Sequence, residues 1–330
     1  MTGDPVRWGI VSTAAINRRL LPAFRASPEL ELVAVASRSQ ERADAYARTE
    51  GIPHAHGSYE ALLADPGVEA VYISLPNSLH VDWSIRALEA GKHVLCEKPL
   101  DARPSEVARA FDAAERAGLV LMEAFMYRHH PQTALALELV QSGAIGDLRL
   151  IRSSFGFTID GLENVRLQPD LDGGALMDVG CYCVSMSRLL GGEADAVTGR
   201  AVTGPSGVDM RFAGVLSLPG DVLAHFDCGF DVPGGSFVEV VGSEGAMRIP
   251  RPFLINDAVI ELVRGGAVER IDAPEADSYL VQLENMAEAV RGDARPLLGR
   301  ADATGQARTL EGLYRSAERG GAAVSLAAER

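Results

Sequence analysis

Between residues 6 and 125, short apolar runs rich in β-branched residues alternate with stretches of helical periodicity, and this alternation constrains the fold more than any other feature. Parallel strands need a crossover between them, usually a helix, so the pattern predicts βαβ units around a parallel sheet. The candidate strands are residues 6–11, 30–37, 70–74, 92–96 and 119–124. The stretches 20–26, 40–50, 58–64, 80–90 and 104–116 read as helices, with Pro104 acceptable in a first turn.

Beyond residue 125 the pattern changes. A helix over 132–142 leads into alternating strand candidates at 147–158, 197–203, 211–218, 221–230, 236–242, 246–249 and 258–263, and two amphipathic helices follow at 279–291 and 304–318. A run of strands with few helices between them predicts an antiparallel sheet with helices on one face. The expected fold is therefore α/β, a doubly wound parallel sheet over 1–125 followed over 126–330 by an α+β domain with a large, open-faced, mainly antiparallel sheet. A chain of 330 residues suits two such domains, with a site expected in the cleft between them. The uncovered sheet face predicts a homodimer or homotetramer formed through it.

A hydrophobic fraction of 47% with 23% charged residues is that of a globular protein. The formal net charge of −14 argues against nucleic acid or an anionic membrane as partner, both of which are held by basic surfaces, while a small phosphate-bearing cofactor needs only a local cluster of donors. The first residues lack the basic and apolar regions of a signal peptide, and no apolar run approaches the roughly 20 residues that span a bilayer, so a cytoplasmic protein is expected. Four cysteines make no disulfide framework. Cys181 and Cys183, two apart in a helical stretch, point about 200° apart, which suits neither a bridge nor a metal site.

The segment Gly9-Ile10-Val11-Ser12-Thr13-Ala14-Ala15-Ile16-Asn17 occupies the first strand-to-helix turn, where dinucleotide folds carry G-x-G-x-x-G or G-x-G-x-x-A. Ser12, Ala14 and Asn17 stand at the small-residue positions. Small side chains still let a pyrophosphate approach the helix N-terminus, Ser12 and Thr13 add hydroxyl donors, and Ile16 completes the turn. After the second strand, where NAD-specific folds place an acid against the ribose, this chain has Ser37 and Arg38, with Arg42 in the next helix. These residues suit a 2′-phosphate, so NADP is expected in preference to NAD.

Four further segments carry chemistry: Leu75-Pro76-Asn77-Ser78-Leu79-His80; Gly91-Lys92-His93-Val94-Leu95-Cys96-Glu97-Lys98-Pro99-Leu100; Glu123-Ala124-Phe125-Met126-Tyr127-Arg128-His129-His130-Pro131; and Gly173-Gly174-Ala175-Leu176-Met177-Asp178-Val179-Gly180-Cys181-Tyr182. In order and content they resemble the glucose-fructose oxidoreductase, inositol dehydrogenase and rhizopine-catabolism (Gfo/Idh/MocA) family. The resemblance implies a Rossmann domain followed by an open-faced α+β domain, with Lys98 of Glu97-Lys98-Pro99 as the catalytic lysine. Many members carry histidine where this chain has Tyr182. In that respect it is similar to the branch containing dimeric dihydrodiol dehydrogenase and NADP-linked xylose dehydrogenases, in which lysine and tyrosine are paired.

Hydride transfer at a carbinol carbon requires a proton to leave or reach the oxygen. A cationic or partly desolvated Lys98 at a strand end can stabilise the developing alkoxide. Asp178 and Tyr182, four apart in a helical stretch, can share one face; the phenol can serve as acid or base and the carboxylate can bind a substrate hydroxyl. Gly173 and Gly174 would let the preceding loop approach a ligand. The expected cofactor contacts are Ser12, Thr13, Ala14, Ile16, Ser37, Arg38, Arg42, Leu75, Pro76, Asn77, His80, Glu97 and Lys98. Substrate contacts are expected from Lys98, Tyr127, Asp178 and Tyr182, with no metal. The predicted activity is NAD(P)-dependent oxidation or reduction of a sugar or related cyclic polyol. A cofactor-binding sensor without catalysis and a redox-assisted glycosidase are the rival readings.

Overall fold

The computed structural model describes residues 4–161 and 163–326. The reading of the chain start rests partly on residues outside this set. The chain divides into two units: residues 4–101, 105–126 and 277–304 form the first, and residues 102–104, 127–276 and 305–326 the second.

In the first unit, β1 (Val6–Val11), β2 (Leu30–Ala36), β3 (His54–His56), β4 (Ala70–Ile73), β5 (His93–Glu97) and β6 (Leu121–Ala124) make one sheet in the order β3-β2-β1-β4-β5-β6. Every pairing is parallel. All four residues of β4 are buried, as expected of a strand covered on both faces. Trp8, fully buried on β1, meets Phe24 edge-on at 5.6 Å. The crossovers are α1 (Asn17–Ala26), α2 (Gln40–Glu50), α3 (Tyr59–Leu63), α4 (His80–Glu89) and α5 (Pro104–Ala117). The sheet order reverses at β1 and β4, whose carboxyl ends form the switch point where doubly wound sheets bind ligands.

The sequence reading missed β3, a three-residue edge strand of His-Ala-His that pairs only with β2. So short and polar a strand carries no apolar periodicity to detect.

In the second unit, α6 (Pro131–Gln141), β7 (Leu148–Thr158) and α7 (Cys181–Gly191) precede a long antiparallel run: β8 (Ala196–Thr203), β9 (Asp209–Leu218), β10 (Val222–Gly229), β11 (Asp231–Gly242), β12 (Ala246–Ile249), β13 (Val259–Arg264) and β14 (Ala267–Asp272). With β15 (Val324–Ser325), the order is β14-β13-β12-β11-β7-β10-β9-β8-β15. Only the β7 and β10 pairing among these is parallel. Burial alternates along β9 and β10. One face buries Phe212, Leu216, Ala224 and Phe226, while the other exposes Val215 and Leu223. Neither β14 nor β15 was anticipated. β14 is almost wholly exposed, joined to β13 through Gly265 and Gly266 at φ 56° and 83°, and β15 has two residues.

The last two helices are α8 (Ser278–Arg291) and α9 (Arg300–Glu318). The sequence reading placed both after the single boundary at residue 125, but α8 folds with the first unit, packed along α1. Arg291 at its end donates to Glu29 Oε2 at 3.0 Å and to the Glu29 carbonyl at 3.2 Å. A helix that returns to an earlier unit does so by long-range packing, which leaves no local mark in the sequence.

Candidate active site

The carboxyl ends of β1, β2, β4 and β5 carry the expected cofactor residues. After β1, Ser12 adopts φ 118°, a conformation usually left to glycine. Its N–H donates to the Ala36 carbonyl at 3.2 Å, its hydroxyl lies 2.8 Å from Ser74 Oγ and accepts the Ala14 N–H at 3.1 Å, and Asn17 Nδ2 donates to its carbonyl at 2.9 Å. Ser12 therefore replaces glycine by means of bonds that hold the turn, and its hydroxyl is engaged within the protein rather than presented as a ligand donor. Thr13, Ala14 and Ile16 are partly exposed around the turn. The residue before α1, Ile16, makes no side-chain cap, which suits a helix end that receives a phosphate.

At the end of β2, the Ser37 N–H donates to the His56 carbonyl at 3.0 Å, and Arg38 and Arg42 are exposed. Ser39 caps α2. Burial raises the Tyr59 phenol pKa, and the nearby Arg38 cation opposes that shift. No acid stands in the Ser37-Arg38-Ser39 turn, so the site offers cations where an NAD-specific site offers a carboxylate.

After β4, Leu75 and Pro76 lead into a turn at Asn77–Leu79 and then to His80, the first residue of α4. Pro76 and Asn77 are partly exposed. His80 is only 1% exposed, with Nδ1 2.8 Å from the Pro99 carbonyl and Nε2 2.8 Å from the Leu75 carbonyl. His80 is expected to touch cofactor; in the structure both ring nitrogens face backbone oxygens, and the ring ties the Leu75 loop to the Lys98-Pro99 turn. Burial lowers its pKa, the two carbonyls act in the opposite direction, and the Lys98 charge adds to the lowering.

Lys98, partly exposed, follows β5 and is joined to Pro99 by a cis peptide bond. Tyr72 donates its hydroxyl to Glu97 Oε1, and Glu97 Oε2 accepts the Lys98 N–H at 3.3 Å. Leu100 N–H donates to Glu123 Oε1 at 2.7 Å. Two carboxylates thus grip the backbone on either side of Lys98 and Pro99, and Glu97 serves as a brace for the lysine. Tyr279 of α8 also lies near Glu97: burial, and then the Glu97 charge, push its phenol pKa upward. The sequence reading missed Tyr279 because nothing local links residue 279 to residue 97.

In the second unit, Asp178 lies in a π-helical turn, Leu176–Gly180, that runs directly into α7. Single π-turns inside helices recur at functional sites. Tyr182 follows in the first turn of α7, 7% exposed, with its ring 5.7 Å from Tyr127, 5.4 Å from Phe155 and 5.3 Å from Phe253. Each aromatic pair contributes about 0.5–1.5 kcal/mol beyond its buried area, which restrains the phenol's orientation.

Tyr127, expected to contact substrate, is fully buried: its hydroxyl donates to Ser185 Oγ at 2.9 Å, and its ring packs 5.7 Å from that of Tyr182. Gly173 and Gly174 also differ from expectation. A Cβ on Gly173 would collide with the Arg166 carbonyl, and one on Gly174, at φ 126°, with the Asp209 carboxylate. Their missing side chains serve backbone packing.

Arg166 was not foreseen. Its Nε donates to Asp178 Oδ2 at 2.7 Å, and its carbonyl accepts the Gly174 N–H at 2.9 Å. It stands twelve residues before its partner in a short 3-10 turn, Val165–Leu167, without a motif to flag it.

Comparisons with known proteins identify the family and the fold. The family model described as oxidoreductase family, NAD-binding Rossmann fold, matches residues 6–125, and the GFO/IDH/MocA C-terminal domain model matches residues 133–248. The chain is 43% identical over 325 residues to a D-xylose 1-dehydrogenase (NADP(+)) of Haloferax volcanii, covering 97% of this chain and 99% of that one. It is 40% identical over 293 residues to a dTDP-3,4-didehydro-2,6-dideoxy-alpha-D-glucose 3-reductase of Streptomyces violaceoruber, covering 87% and 85%. Among solved structures, a 3-ketoreductase from Actinomadura kijaniata in complex with NADP and TDP-benzene superposes with a TM-score of 0.89 at 33% identity, over 94% of this chain and 98% of that one. No helix among the described residues is long and apolar enough to cross a membrane. The parallel sheet with its braced lysine, the nine-stranded sheet behind the Asp178 and Tyr182 helix, and matches along nearly the whole chain lead to one conclusion: this protein belongs to the Gfo/Idh/MocA family of oxidoreductases.

Proposed function

We propose that the protein oxidises an aldose of the D-xylose type at its anomeric carbon with NADP+. The observation that carries this reading is the 43% identity, end to end, with an NADP-linked D-xylose 1-dehydrogenase. The β2 turn supports the cofactor preference, because Ser37, Arg38 and Arg42 supply donors for a 2′-phosphate and no acid stands in the Ser37-Arg38-Ser39 turn itself. Thr13, Ala14 and Ile16 border the pyrophosphate, and Leu75, Pro76 and Asn77 run beside the rest of the cofactor.

A bound NADP+ would supply the acceptor for the hydride lost from C1 of the sugar. The chain's own residues manage the proton and the charge. Lys98 stabilises the oxygen as negative charge grows on it, Tyr182 takes the hydroxyl proton, and Asp178 binds a neighbouring hydroxyl. The two-electron oxidation of C1 would release the hydroxyl proton by way of Tyr182 to solvent and yield the lactone. Glu97 and Glu123, through backbone N–H groups, keep Lys98 in place during the step. Solved forms of the Actinomadura kijaniata reductase include variants of one lysine and one tyrosine, separated in that sequence by the same interval as Lys98 and Tyr182 here. That spacing supports their joint role.

The test is turnover of a panel of aldoses, D-xylose among them, with NADP+ and with NAD+. Reduction of NADP+ by an aldose is expected. Turnover confined to a nucleotide-linked keto-sugar with NADPH would replace the reading with the ketoreductase one, and cofactor binding without turnover of either class would replace it with a sensor.

The open sheet face carries exposed Val202, Val215, Leu223 and Phe237, at 48%, 38%, 45% and 46% exposure. A second copy of the chain covers this face in our reading, and light scattering of the Leu223→Lys variant tests it: a smaller particle than wild type is expected, and an unchanged one would contradict it.

A further inference from the structure

Asp209, the first residue of β9, is a carboxylate that none of the chemistry above uses, and it is only 7% exposed. Its Oδ2 accepts the Leu176 N–H at 2.7 Å and its Oδ1 accepts the Tyr314 hydroxyl at 3.2 Å. Oδ1 also lies against the Gly174 backbone so closely that only glycine fits there. The carboxylate therefore sits at the N-terminus of the helical run that begins at Leu176, passes through the π-turn and continues as α7. Negative charge is favourable at that end.

Two links lead from Asp209 to the proposed chemistry. The Gly174 carbonyl, next to the carboxylate, accepts the Asp178 N–H at 3.0 Å. Leu176, held directly by the carboxylate, is six residues before Tyr182 on the same continuous helical rod. Each residue of an α-helix turns the chain by about 100°, so a slip of one residue at the start would swing the Tyr182 phenol through a comparable angle. The aromatic cage holds the rod at Tyr182, beyond its first turns. Asp209 fixes its start.

We propose that Asp209 is a positioning residue whose carboxylate, steadied by Tyr314, sets the register of the Leu176–Cys181 turn and so aims Asp178 and Tyr182. The proposal rests on the reading of Asp178 and Tyr182 as site residues. Burial pushes the Asp209 carboxyl pKa up to about 6, against the lowering effect of the Leu176 N–H and the Tyr314 hydroxyl, so the group is ionised at neutral pH. An asparagine retains an acceptor for the Leu176 N–H and can meet Tyr314 with its amide, whereas alanine provides neither.

The experiment compares Asp209→Ala, Asp209→Asn, Tyr314→Phe and Tyr182→Phe in kcat, KM and NADP+ binding. Displacement of reacting groups by about 1 Å costs on the order of 100-fold in rate. Asp209→Ala is expected to lose ten- to a hundredfold in kcat with NADP+ affinity unchanged, Asp209→Asn to recover most of that loss, and Tyr314→Phe to lose a fewfold. Should Asp209→Ala fail to fold, Tyr314→Phe and Asp209→Asn carry the test. Wild-type kcat in folded Asp209→Ala, or equal losses of kcat and NADP+ affinity across the Asp209 variants, would overturn the proposal. Full turnover by Tyr182→Phe would instead overturn the reading of the site on which it rests.

Discussion

The two units hold their functional residues by different means. In the first, most candidate cofactor residues lie just beyond the ends of parallel strands, where the chain is tied by nearby groups: Ser12 to Ser74 beyond β4, Lys98 to the preceding Glu97, and Leu100 to Glu123 of β6. In the second, Asp178 and Tyr182 are held by side chains far away in sequence, namely Asp209, Phe253 and, through Asp209, Tyr314. A parallel sheet aligns its strand ends by topology, so the βαβ pattern also locates the site. An antiparallel sheet with a helix across it aligns nothing automatically, and specific long-range contacts must do so.

The largest effect expected from this contrast is at Lys98, whose supports are local and whose chemistry is not replaceable. Lys98→Met should lower kcat by about 10⁴-fold, the upper end of general acid–base effects, with NADP+ binding retained. Steady-state kinetics beside a binding titration checks this. Tyr182→Phe should lower kcat by roughly 10³-fold with its aromatic neighbours undisturbed, and near-ultraviolet circular dichroism can verify the packing.

Asp209 gives a pH signature to the second unit. Its folded pKa of about 6 lies above the ordinary 3.8, so between these values the folded state binds the proton more readily than the unfolded chain. Its contribution to stability is fully present below pH ~4 and is lost as pH rises through about 6. At 1.36 kcal/mol per unit, the loss amounts to about 3 kcal/mol. Urea unfolding from pH 4 to 8 should show Asp209→Asn gaining stability relative to wild type as pH rises, with the difference flat above pH ~7. A difference independent of pH would show that Asp209 is not the buried carboxylate described. The smallest effect belongs to the exposed β2 turn: Arg38→Ala should reduce kcat/KM for NADP+ by about tenfold and leave that for NAD+ unchanged, because only the contact with one phosphate is lost.

The same contrast governs what the sequence revealed. The parallel sheet, Glu97-Lys98-Pro99 and the acid-free β2 turn were legible because strand, turn and helix are consecutive and each has its own periodicity or motif. His80 stands in a recognisable motif, but its position there does not show that both ring nitrogens face the Pro99 and Leu75 carbonyls. Tyr127 likewise matched a motif, and only the packing shows that it is a support. Arg166, Asp209 and Tyr279 carry no sequence signal, because each meets its neighbour, Asp178, Leu176 or Glu97, only through folding. Helix α8 joined the first unit for the same reason.

The central claim is that Lys98 is the catalytic lysine of an NADP-linked aldose oxidation. Its most direct test is a single turnover of C1-deuterated D-xylose with NADP+, using wild type and Lys98→Met. The account predicts deuterium on the nicotinamide ring with wild type, and none with the variant although NADP+ remains bound. Undiminished deuterium transfer by Lys98→Met would contradict it.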